Sequence, residues 1–202
     1  FVDIDPQTYT LSIPAVKGAI TKKTKAILPV DLYGFSADMQ PLREIAVEHD
    51  LSLVEDAAQA HGATYNNRSV GAFSNVACWS LYASKNMMTG EGGVMTTDDD
   101  QIDETLRMIR THGEKAKYAS LILGSNYRMS ELQAAIGNVQ LQKVSSFISK
   151  RRQNAIKLTK ILKPSEKLVL PYETTDRLHS WYLYTVRIKD FSEGQRNNLI
   201  EE

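Results

Sequence analysis

The stretch "AILPVDLYGFSADMQPLREIAVEHDLSLVED", residues 26–56, contains the pattern that decides the fold class. Its first nine residues form a short apolar run that ends at a glycine, which predicts a buried strand followed by a turn. The next segment predicts a helix capped by Asp38, with one face made by Met39, Leu42, Ile45, Ala46 and His49. Residues 51–56 predict a second strand. Because a strand, a helix and a strand joined by short connections favour a parallel pair, we expect an α/β fold.

Further strands and a helix follow this unit along the chain. Residues 75–82, NVACWSLY, and residues 92–97, GGVMTT, have the composition of buried strands. The aspartates at 98–100 are placed to cap a helix that ends near His112. The α/β pattern therefore continues, without an internal repeat.

A long helix is predicted from Ser130, because Ser130 and Gln133 have the spacing of a capping box. The basic triplet at 150–152 either extends this helix or starts a second one, and Pro164 stops it. We interpret the triplet as a solvated helix face and not as a nucleic-acid patch, since no aromatic residues are interleaved with it. Two β-rich stretches after Pro164 indicate that a smaller second domain begins near the triplet.

Charge and composition exclude several classes of partner. Among 202 residues, lysine and arginine number 24, as do aspartate and glutamate, so nothing favours nucleic acid or an anionic membrane surface. No apolar run approaches the roughly 20 residues of a membrane helix. The single cysteine, Cys78, excludes an intrachain disulfide and favours a reducing, cytoplasmic setting. The chain opens on FVDIDP without a methionine, from which we expect a fragment of a longer protein.

Asp56 and Lys85 each have an ordinary explanation when they are considered alone. Asp56 ends the strand at 51–56, where an acidic residue often caps the next helix. Lys85 lies in SLYASKNMMTGEGG, residues 80–93, and most loop lysines are solvated. Ligands of open α/β sheets, however, bind beyond the carboxyl ends of the strands, which is where we expect Asp56.

Pyridoxal 5'-phosphate is a cofactor that uses both residues together with Ser80 and Gln59. A lysine amine forms a Schiff base with its aldehyde, which is the role open to Lys85. A carboxylate favours a protonated ring nitrogen by charge pairing, which is the role open to Asp56. Gln59 is placed to donate a hydrogen bond to the ring hydroxyl oxygen, and Ser80 to hold the phosphate. The sequence predicts no metal site.

Several blocks of the sequence resemble the nucleotide-sugar aminotransferase family, a DegT/StrS-like branch of the fold-type I pyridoxal phosphate enzymes. They are VEDAAQAHGATYNNRSVG, SLYASKN with the following GEGG, RTHG and LGSNYRMSELQAAIGNVQL, in the family's order. The resemblance covers the chain from Phe1 to about Arg152. It implies a three-layer α/β/α large domain with a mostly parallel sheet, to which residues 1–148 belong. Residues 149–202 would start a small α+β C-terminal domain, with both ends of the parent protein missing.

The resemblance implies the same roles for Lys85, Asp56, Gln59 and Ser80, and it adds Asn126. In the family this asparagine reaches the cofactor phosphate of a neighbouring subunit, which implies a homodimer with shared active sites. Without the family, Asn126 is better interpreted as a turn residue ahead of the predicted helix. Family members also have a segment before FVDID that supplies a phosphate cup and a stacking aromatic, so the fragment alone is expected to be inactive.

Three other residues receive no role from the sequence. His61 and His112 are close to the candidate residues, but a histidine satisfied within the structure is the more frequent explanation for each. Asp31 stands where the family more often has histidine, and the consequence for substrate fit cannot be predicted.

We expect the parent protein to transfer nitrogen from an amino acid donor, glutamate being the expected one, to a keto-sugar nucleotide in amino-sugar biosynthesis. Lys85 would move the protons. One alternative is a deoxysugar dehydratase of the same fold, which has histidine in place of the lysine; Lys85 argues against it. Another is a regulatory protein that binds the cofactor without turnover, which the joint presence of Asp56, Gln59, Ser80 and Lys85 disfavours. The sugar, the nucleotide and the ring position stay open, as does a cyclitol acceptor.

Overall fold

In the computed structural model, which describes residues 1–201, short strands and helices alternate along the chain. The strands are β1 (Ala26–Ile27), β2 (Ser52–Asp56), β3 (Thr64–Tyr65), β4 (Arg68–Ser69), β5 (Val76–Ser80), β6 (Gly93–Thr96), β7 (Glu114–Ala116), β8 (Ala119–Ser120), β9 (Leu168–Val169), β10 (Arg177–Leu178) and β11 (Arg187–Ile188). The helices are α1 (Ile13–Ala19), α2 (Met39–Glu48), α3 (Asp100–Arg110), α4 (Glu131–Leu162) and α5 (Glu193–Glu201).

The main sheet has four strands in the order β1-β2-β5-β6. Strands β1, β2 and β5 are parallel, and β6 runs antiparallel to β5. Helix α2 is the crossover between β1 and β2, so the predicted strand, helix and strand unit and its parallel pairing are confirmed. In the β2–β5 pair Asp56 lies opposite Cys78, which brings the carboxyl ends of these two strands side by side.

Strand β1 is shorter than the apolar run that predicted it. Pro29 follows closely and has no N–H to donate, so the ladder with β2 is interrupted there. The pairing resumes only as a single bridge between Val30 and Asp56. Beyond it, the chain turns through a short 3-10 helix at Leu32–Gly34.

Helix α2 buries the predicted apolar face on the sheet, because Met39, Leu42, Ile45 and Ala46 are all buried. These side chains belong to a core that also includes Val16, Ile27, Leu53, Tyr65 and Phe73. The predicted fifth member, His49, is exposed at the end of the helix.

The prediction that the Asp38 side chain caps α2 is wrong. Asp38 occupies the N-cap position, but its carboxylate makes no cap hydrogen bond. It accepts a hydrogen bond of 2.6 Å from the Tyr65 hydroxyl and lies 3.4 Å from the Arg177 guanidinium. A phenol and a guanidinium are stronger partners for a carboxylate than a backbone N–H, and they draw the side chain away from the helix end.

The prediction of a buried strand at 92–97 is wrong in one respect, because β6 forms but its four residues are exposed. It lies at the edge of the sheet and pairs with β5 within the described residues. The caps of α3 and α4 are as predicted. Asp99 accepts hydrogen bonds from the backbone of Gln101 and Ile102, and Ser130 forms the capping box with Gln133.

Helix α4 is continuous over 32 residues, so the basic triplet extends the first helix, which ends just before Pro164. The triplet is not simply a solvated face: Arg151 donates to the carbonyl oxygens of Trp181 and Tyr182. The predicted domain boundary between residues 148 and 149 falls within this helix and stays a prediction. After α4, β9 pairs with β11, whereas β10 returns to pair with β3 in the first part of the chain.

Candidate active site

Three of the predicted site residues lie at one edge of the main sheet. Asp56 is the last residue of β2 and Ser80 the last residue of β5, and these strands are parallel neighbours. Lys85 lies in the loop that leaves β5, where its backbone N–H donates to the Tyr82 carbonyl at 2.9 Å. This is the edge at which ligands of open α/β sheets bind.

Asp56 and Gln59 each use part of their hydrogen-bonding capacity locally and keep the rest. One carboxylate oxygen of Asp56 accepts from the Ala58 N–H at 3.0 Å. The side-chain oxygen of Gln59 accepts from the Tyr33 N–H at 2.7 Å, which fixes the orientation of the amide. The second carboxylate oxygen and the Gln59 NH₂ group make no hydrogen bond within residues 1–201 and are available to a ligand.

The amine of Lys85 lies over an aromatic ring contributed from far along the chain. Its Nζ is 4.6 Å from the ring centroid of Tyr182. The Tyr182 hydroxyl is 3.0 Å from the hydroxyl of Ser84, the residue before the lysine. The Ser80 hydroxyl accepts from the Tyr82 N–H at 3.3 Å, so this loop closes back on the end of β5.

His61 is buried close to this group, and its ring is tilted against Trp79 with 5.5 Å between centroids. Burial, followed by the charge of Lys85, lowers the pKa of His61 to about 4, so the imidazole is neutral near pH 7. Neither ring nitrogen meets a hydrogen-bond partner of good geometry in the described residues. The expectation of a satisfied structural histidine stays a prediction for His61, since hydrogen bonding with the Ser80 backbone opposes the fall in its pKa.

Two buried carboxyl groups lie behind the Asp56 end of the sheet. Asp31 and Glu55 are both fully buried. Glu55 accepts hydrogen bonds from the Gly71 N–H and the Ser74 hydroxyl, each at 2.8 Å. Asp31 accepts one from the Ala37 N–H at 2.8 Å, and its other oxygen has no partner among residues 1–201. Burial, and then the charge of Glu55, raises the pKa of Asp31 well above its usual range.

Asn126 is not brought together with the other four residues. It lies exposed between α3 and α4, where it forms a single bridge with Thr111 and its side-chain oxygen accepts from the Arg128 N–H at 3.4 Å. His112 is also exposed, on the same connection. Neither contact involves the other four candidate residues, and the role of Asn126 at a neighbouring subunit's cofactor stays a prediction.

Two further properties of the described residues bear on the chemistry. Residues 1–201 hold no cluster of three or more His, Cys, Asp or Glu side chains suited to a metal ion. In the same range, no helix has the length and apolar character needed to cross a membrane.

A family model described as the DegT/DnrJ/EryC1/StrS aminotransferase family matches residues 1–202. The chain belongs to this family.

Two curated relatives show what kinds of protein this DegT-family chain is similar to. A pleiotropic regulatory protein of Geobacillus stearothermophilus is 43% identical over 190 residues, which cover 93% of this chain and 51% of that protein. The dTDP-3-amino-3,4,6-trideoxy-alpha-D-glucose transaminase of Streptomyces venezuelae is 43% identical over 179 residues, which cover 88% of this chain and 47% of the transaminase. The chain therefore spans about half the length of the curated relatives it matches.

Solved structures of the DegT family have the same fold as this chain. DesV of S. venezuelae superposes with a TM-score of 0.93 at 40% identity, covering 99% of this chain and 54% of DesV. The E. coli GDP-4-keto-6-deoxy-D-mannose-3-dehydratase, solved with bound hydrated PLP, has a TM-score of 0.88 at 34% identity. The match covers 100% of this chain and 56% of the dehydratase. The predicted α/β fold of a fold-type I aminotransferase is confirmed.

Sequence reasoning missed the aromatic neighbour of Lys85. Tyr182 lies in HSWYLY, residues 179–184, and its contact with Ser84 spans 98 positions of sequence. Periodicity identifies residues on one face of an element, but it gives no signal for a contact between two loops. The density of aromatic residues in this stretch was the one indication that it packs against something.

Proposed function

We propose that the protein containing this chain is a pyridoxal 5'-phosphate-dependent aminotransferase that transfers nitrogen from an amino acid, glutamate in the first instance, to a keto-sugar nucleotide. The observation that carries the proposal is the convergence of Asp56, Gln59, Ser80 and Lys85 at the carboxyl ends of β2 and β5. Membership of an aminotransferase family and a transaminase relative at 43% identity support the reaction class.

The groups present at this edge suit the cofactor. Asp56 has a free carboxylate oxygen for a ring nitrogen, and Gln59 has a free NH₂ group for a ring hydroxyl oxygen. Ser80 offers a hydroxyl to the phosphate, and Lys85 an amine for the covalent linkage. When bound, the cofactor supplies an aldehyde that links to amines and a ring that accepts electrons from the carbon being deprotonated.

Each residue then has a defined task. The negative charge of Asp56 favours the protonated form of a ring nitrogen. The Tyr33 N–H fixes the Gln59 amide so that its NH₂ group points away from Tyr33. With its amine free of the cofactor, Lys85 would accept on Nζ a proton from the substrate carbon next to the nitrogen and hold it for return. His61, uncharged near pH 7, adds no second cation beside that amine.

Two rival functions are separated by specific observations. The same-fold dehydratase neighbour is 34% identical, but by family resemblance such enzymes have histidine at the position of Lys85. A regulatory protein without turnover is suggested by the relative at 43% identity that is named a pleiotropic regulatory protein. The joint presence of Asp56, Gln59, Ser80 and Lys85 favours an enzyme over both.

The linkage is tested by reducing full-length protein with borohydride and mapping the label by mass spectrometry. We expect the cofactor on Lys85 and, before reduction, visible absorbance that the Lys85→Arg variant lacks. A label on any other lysine would overturn the assignment.

The reaction is tested by supplying keto-sugar nucleotides, a keto-cyclitol and simple keto acids with glutamate while 2-oxoglutarate is followed. We expect amination of a keto-sugar nucleotide, lowered roughly 10³-fold by Asp56→Asn and unchanged by the exposed control Asp98→Asn. Turnover of simple keto acids alone would show that the substrate class is wrong. Labelling of Lys85 without any turnover would favour the regulatory protein.

We also propose that the protein is a cytoplasmic homodimer with shared active sites. Asn126 supports the dimer, because by family resemblance it serves the neighbouring subunit's phosphate. The single cysteine, Cys78, supports a reducing compartment.

A further inference from the structure

We propose that Tyr182 is a positioning residue for Lys85, held in place by a preformed segment, residues 179–184, that we call the strap. This inference rests on the proposed function, because it assigns a task to the neighbour of the catalytic amine. The tyrosine makes two contacts with the loop between β5 and β6, residues 81–92, which we call the lysine loop. Its ring lies 4.6 Å from the Lys85 Nζ, and its hydroxyl lies 3.0 Å from the Ser84 hydroxyl. One side chain thus contacts both the amine and the side chain of the residue before it.

The strap is rigid by its own packing. The rings of His179 and Trp181 are stacked with 4.0 Å between centroids and an interplanar angle of 2°, and the Tyr184 ring also stacks with Trp181, at 5.6 Å. The Trp181 N–H donates to His179 Nδ1 at 2.9 Å. Burial lowers the pKa of His179 to about 4, so this nitrogen stays free to accept near pH 7. His179, Ser180 and Trp181 are all buried.

Three other elements hold the strap against the site. Helix α4 contributes Arg151, which donates to the Trp181 and Tyr182 carbonyls at 3.1 and 3.2 Å. The lysine loop contributes Asn86, whose amide donates to the Ser180 carbonyl at 3.1 Å. In the turn after β1, the Gly34 carbonyl accepts a hydrogen bond from the Ser180 N–H at 2.8 Å. Tyr182 therefore has little freedom to leave Lys85.

Gly34 shows how closely the strap approaches this turn. Its φ of +98° is a conformation that favours glycine, and a Cβ there would overlap the Ser180 hydroxyl oxygen. The same Cβ would come within 3.2 Å of the Gln59 carbonyl oxygen. The strap therefore packs directly against the turn at Leu32–Gly34, whose Tyr33 N–H orients the Gln59 amide. Through Asn86 the strap also contacts the lysine loop.

The geometry gives Tyr182 a task in the stage when Lys85 is not linked to the cofactor. A cation over the face of an aromatic ring is attracted to it. The ring holds the released amine near the strand ends, where it must act on the substrate carbon, and limits its escape into solvent. Tyr182→Leu removes the ring, whereas Tyr182→Phe removes only the hydroxyl contact with Ser84.

The test measures how fast Lys85 is modified in the full-length protein after its cofactor has been removed. Reductive methylation with ¹³C-formaldehyde, read by mass spectrometry, gives the rate at Lys85 relative to the exposed lysines Lys22 and Lys157. We expect Tyr182→Leu to raise that relative rate between about two- and fivefold. We expect Tyr182→Phe to stay close to wild type, and Arg151→Met, which loosens the strap from α4, to raise the rate as Leu does. Tyr172→Phe is the control, because Tyr172 is 43% exposed and lies outside the strap, and it should leave the rate unchanged.

The outcomes separate this inference from the proposed function. An unchanged rate in both Tyr182→Leu and Arg151→Met overturns the positioning role, as does a Tyr182→Phe variant that behaves like Tyr182→Leu. In the loaded enzyme, Tyr182→Leu should lower kcat more than it changes KM for glutamate, because the amine acts after the donor binds. If borohydride fails to fix a cofactor on Lys85 in wild type, the proposed function fails whatever the methylation rates are.

Discussion

Asp31 belongs to a cluster of three carboxyl groups that the fold brings together. Asp56 lies at the open end of β2, while Asp31 and Glu55 are fully buried behind it. The Asp31 N–H donates to the Asp56 carbonyl at 3.0 Å, so these two residues are also joined through the backbone. Burial, and then the charge of Glu55, raises the pKa of Asp31 well above its usual range. We infer that Asp31 keeps its proton.

This state of Asp31 predicts how stability depends on pH. A carboxyl group whose pKa is raised in the folded protein binds its proton more tightly in the folded state than in the unfolded state. Its full contribution to stability is therefore present only below the ordinary aspartate pKa of 3.8. That contribution is lost as the pH rises through the native pKa. Asp31→Asn mimics the protonated form and should raise the free energy of unfolding at pH 8 by about 1–3 kcal/mol, with a smaller gain at pH 4.

Urea denaturation of full-length protein at both pH values measures the difference, with the exposed Asp98→Asn as a control for an ordinary surface carboxyl. A gain that is the same at pH 4 and pH 8 would contradict a protonated Asp31.

Helix α4 shows which parts of an element the sequence can predict. Its start follows from local chemistry. The Ser130 hydroxyl accepts a hydrogen bond from the Gln133 N–H, and the Gln133 side-chain oxygen accepts one from the Ser130 N–H. Its end follows from Pro164. The unexpected feature is the contact that Arg151 makes from within the helix, because it donates to the carbonyl oxygens of Trp181 and Tyr182, 30 and 31 positions away. Local sequence patterns do not predict contacts between residues that are far apart in the sequence.

The same limit explains the other differences between prediction and structure. The apolar composition of β6 indicates a strand but not that it lies exposed at the sheet edge and antiparallel, since both depend on neighbours in space. Asp38 has the residue type and position of a cap, yet Tyr65 and Arg177 reach it through the tertiary fold. At the site, strand ends could be predicted to bring Asp56 and Ser80 together, whereas the contact of Tyr182 with Lys85 could not.

The capping box supports a prediction for the stability of α4. Ser130→Ala removes the side-chain oxygen that accepts the Gln133 N–H at 3.3 Å, and should lower the free energy of unfolding by about 1 kcal/mol. Ser146→Ala is the matched control, because Ser146 is exposed in the middle of the same helix and alanine favours helix there. Chemical denaturation of the two full-length variants should rank Ser130→Ala below wild type and Ser146→Ala equal to it or above. Equal midpoints for the two variants would argue that the box contributes nothing to stability.

Large apolar side chains are exposed along the stretch that surrounds Asn126. Tyr118 is 85% exposed, Leu123 95%, Tyr127 69% and Leu132 79%. Exposed apolar side chains in such number are typical of a surface where more protein packs. The subunit contact proposed for Asn126 would lie in this stretch.

Subunit mixing tests whether Asn126 acts across such an interface. Full-length Lys85→Ala and Asn126→Ala variants should each be weak alone, since one lacks the amine and the other a phosphate contact in both sites. After exchange, a heterodimer has one site that combines an intact Lys85 with the partner subunit's intact Asn126, and it should recover up to about half the activity of a normal dimer. A Ser125→Ala variant mixed with Lys85→Ala is the matched control, because Ser125 is the exposed neighbour of Asn126 and its own dimers should already be active. Exchange is confirmed independently by pairing differently tagged subunits. If the exchanged Lys85→Ala and Asn126→Ala mixture is no more active than the sum of the separate variants, Asn126 serves only as the turn residue ahead of α4.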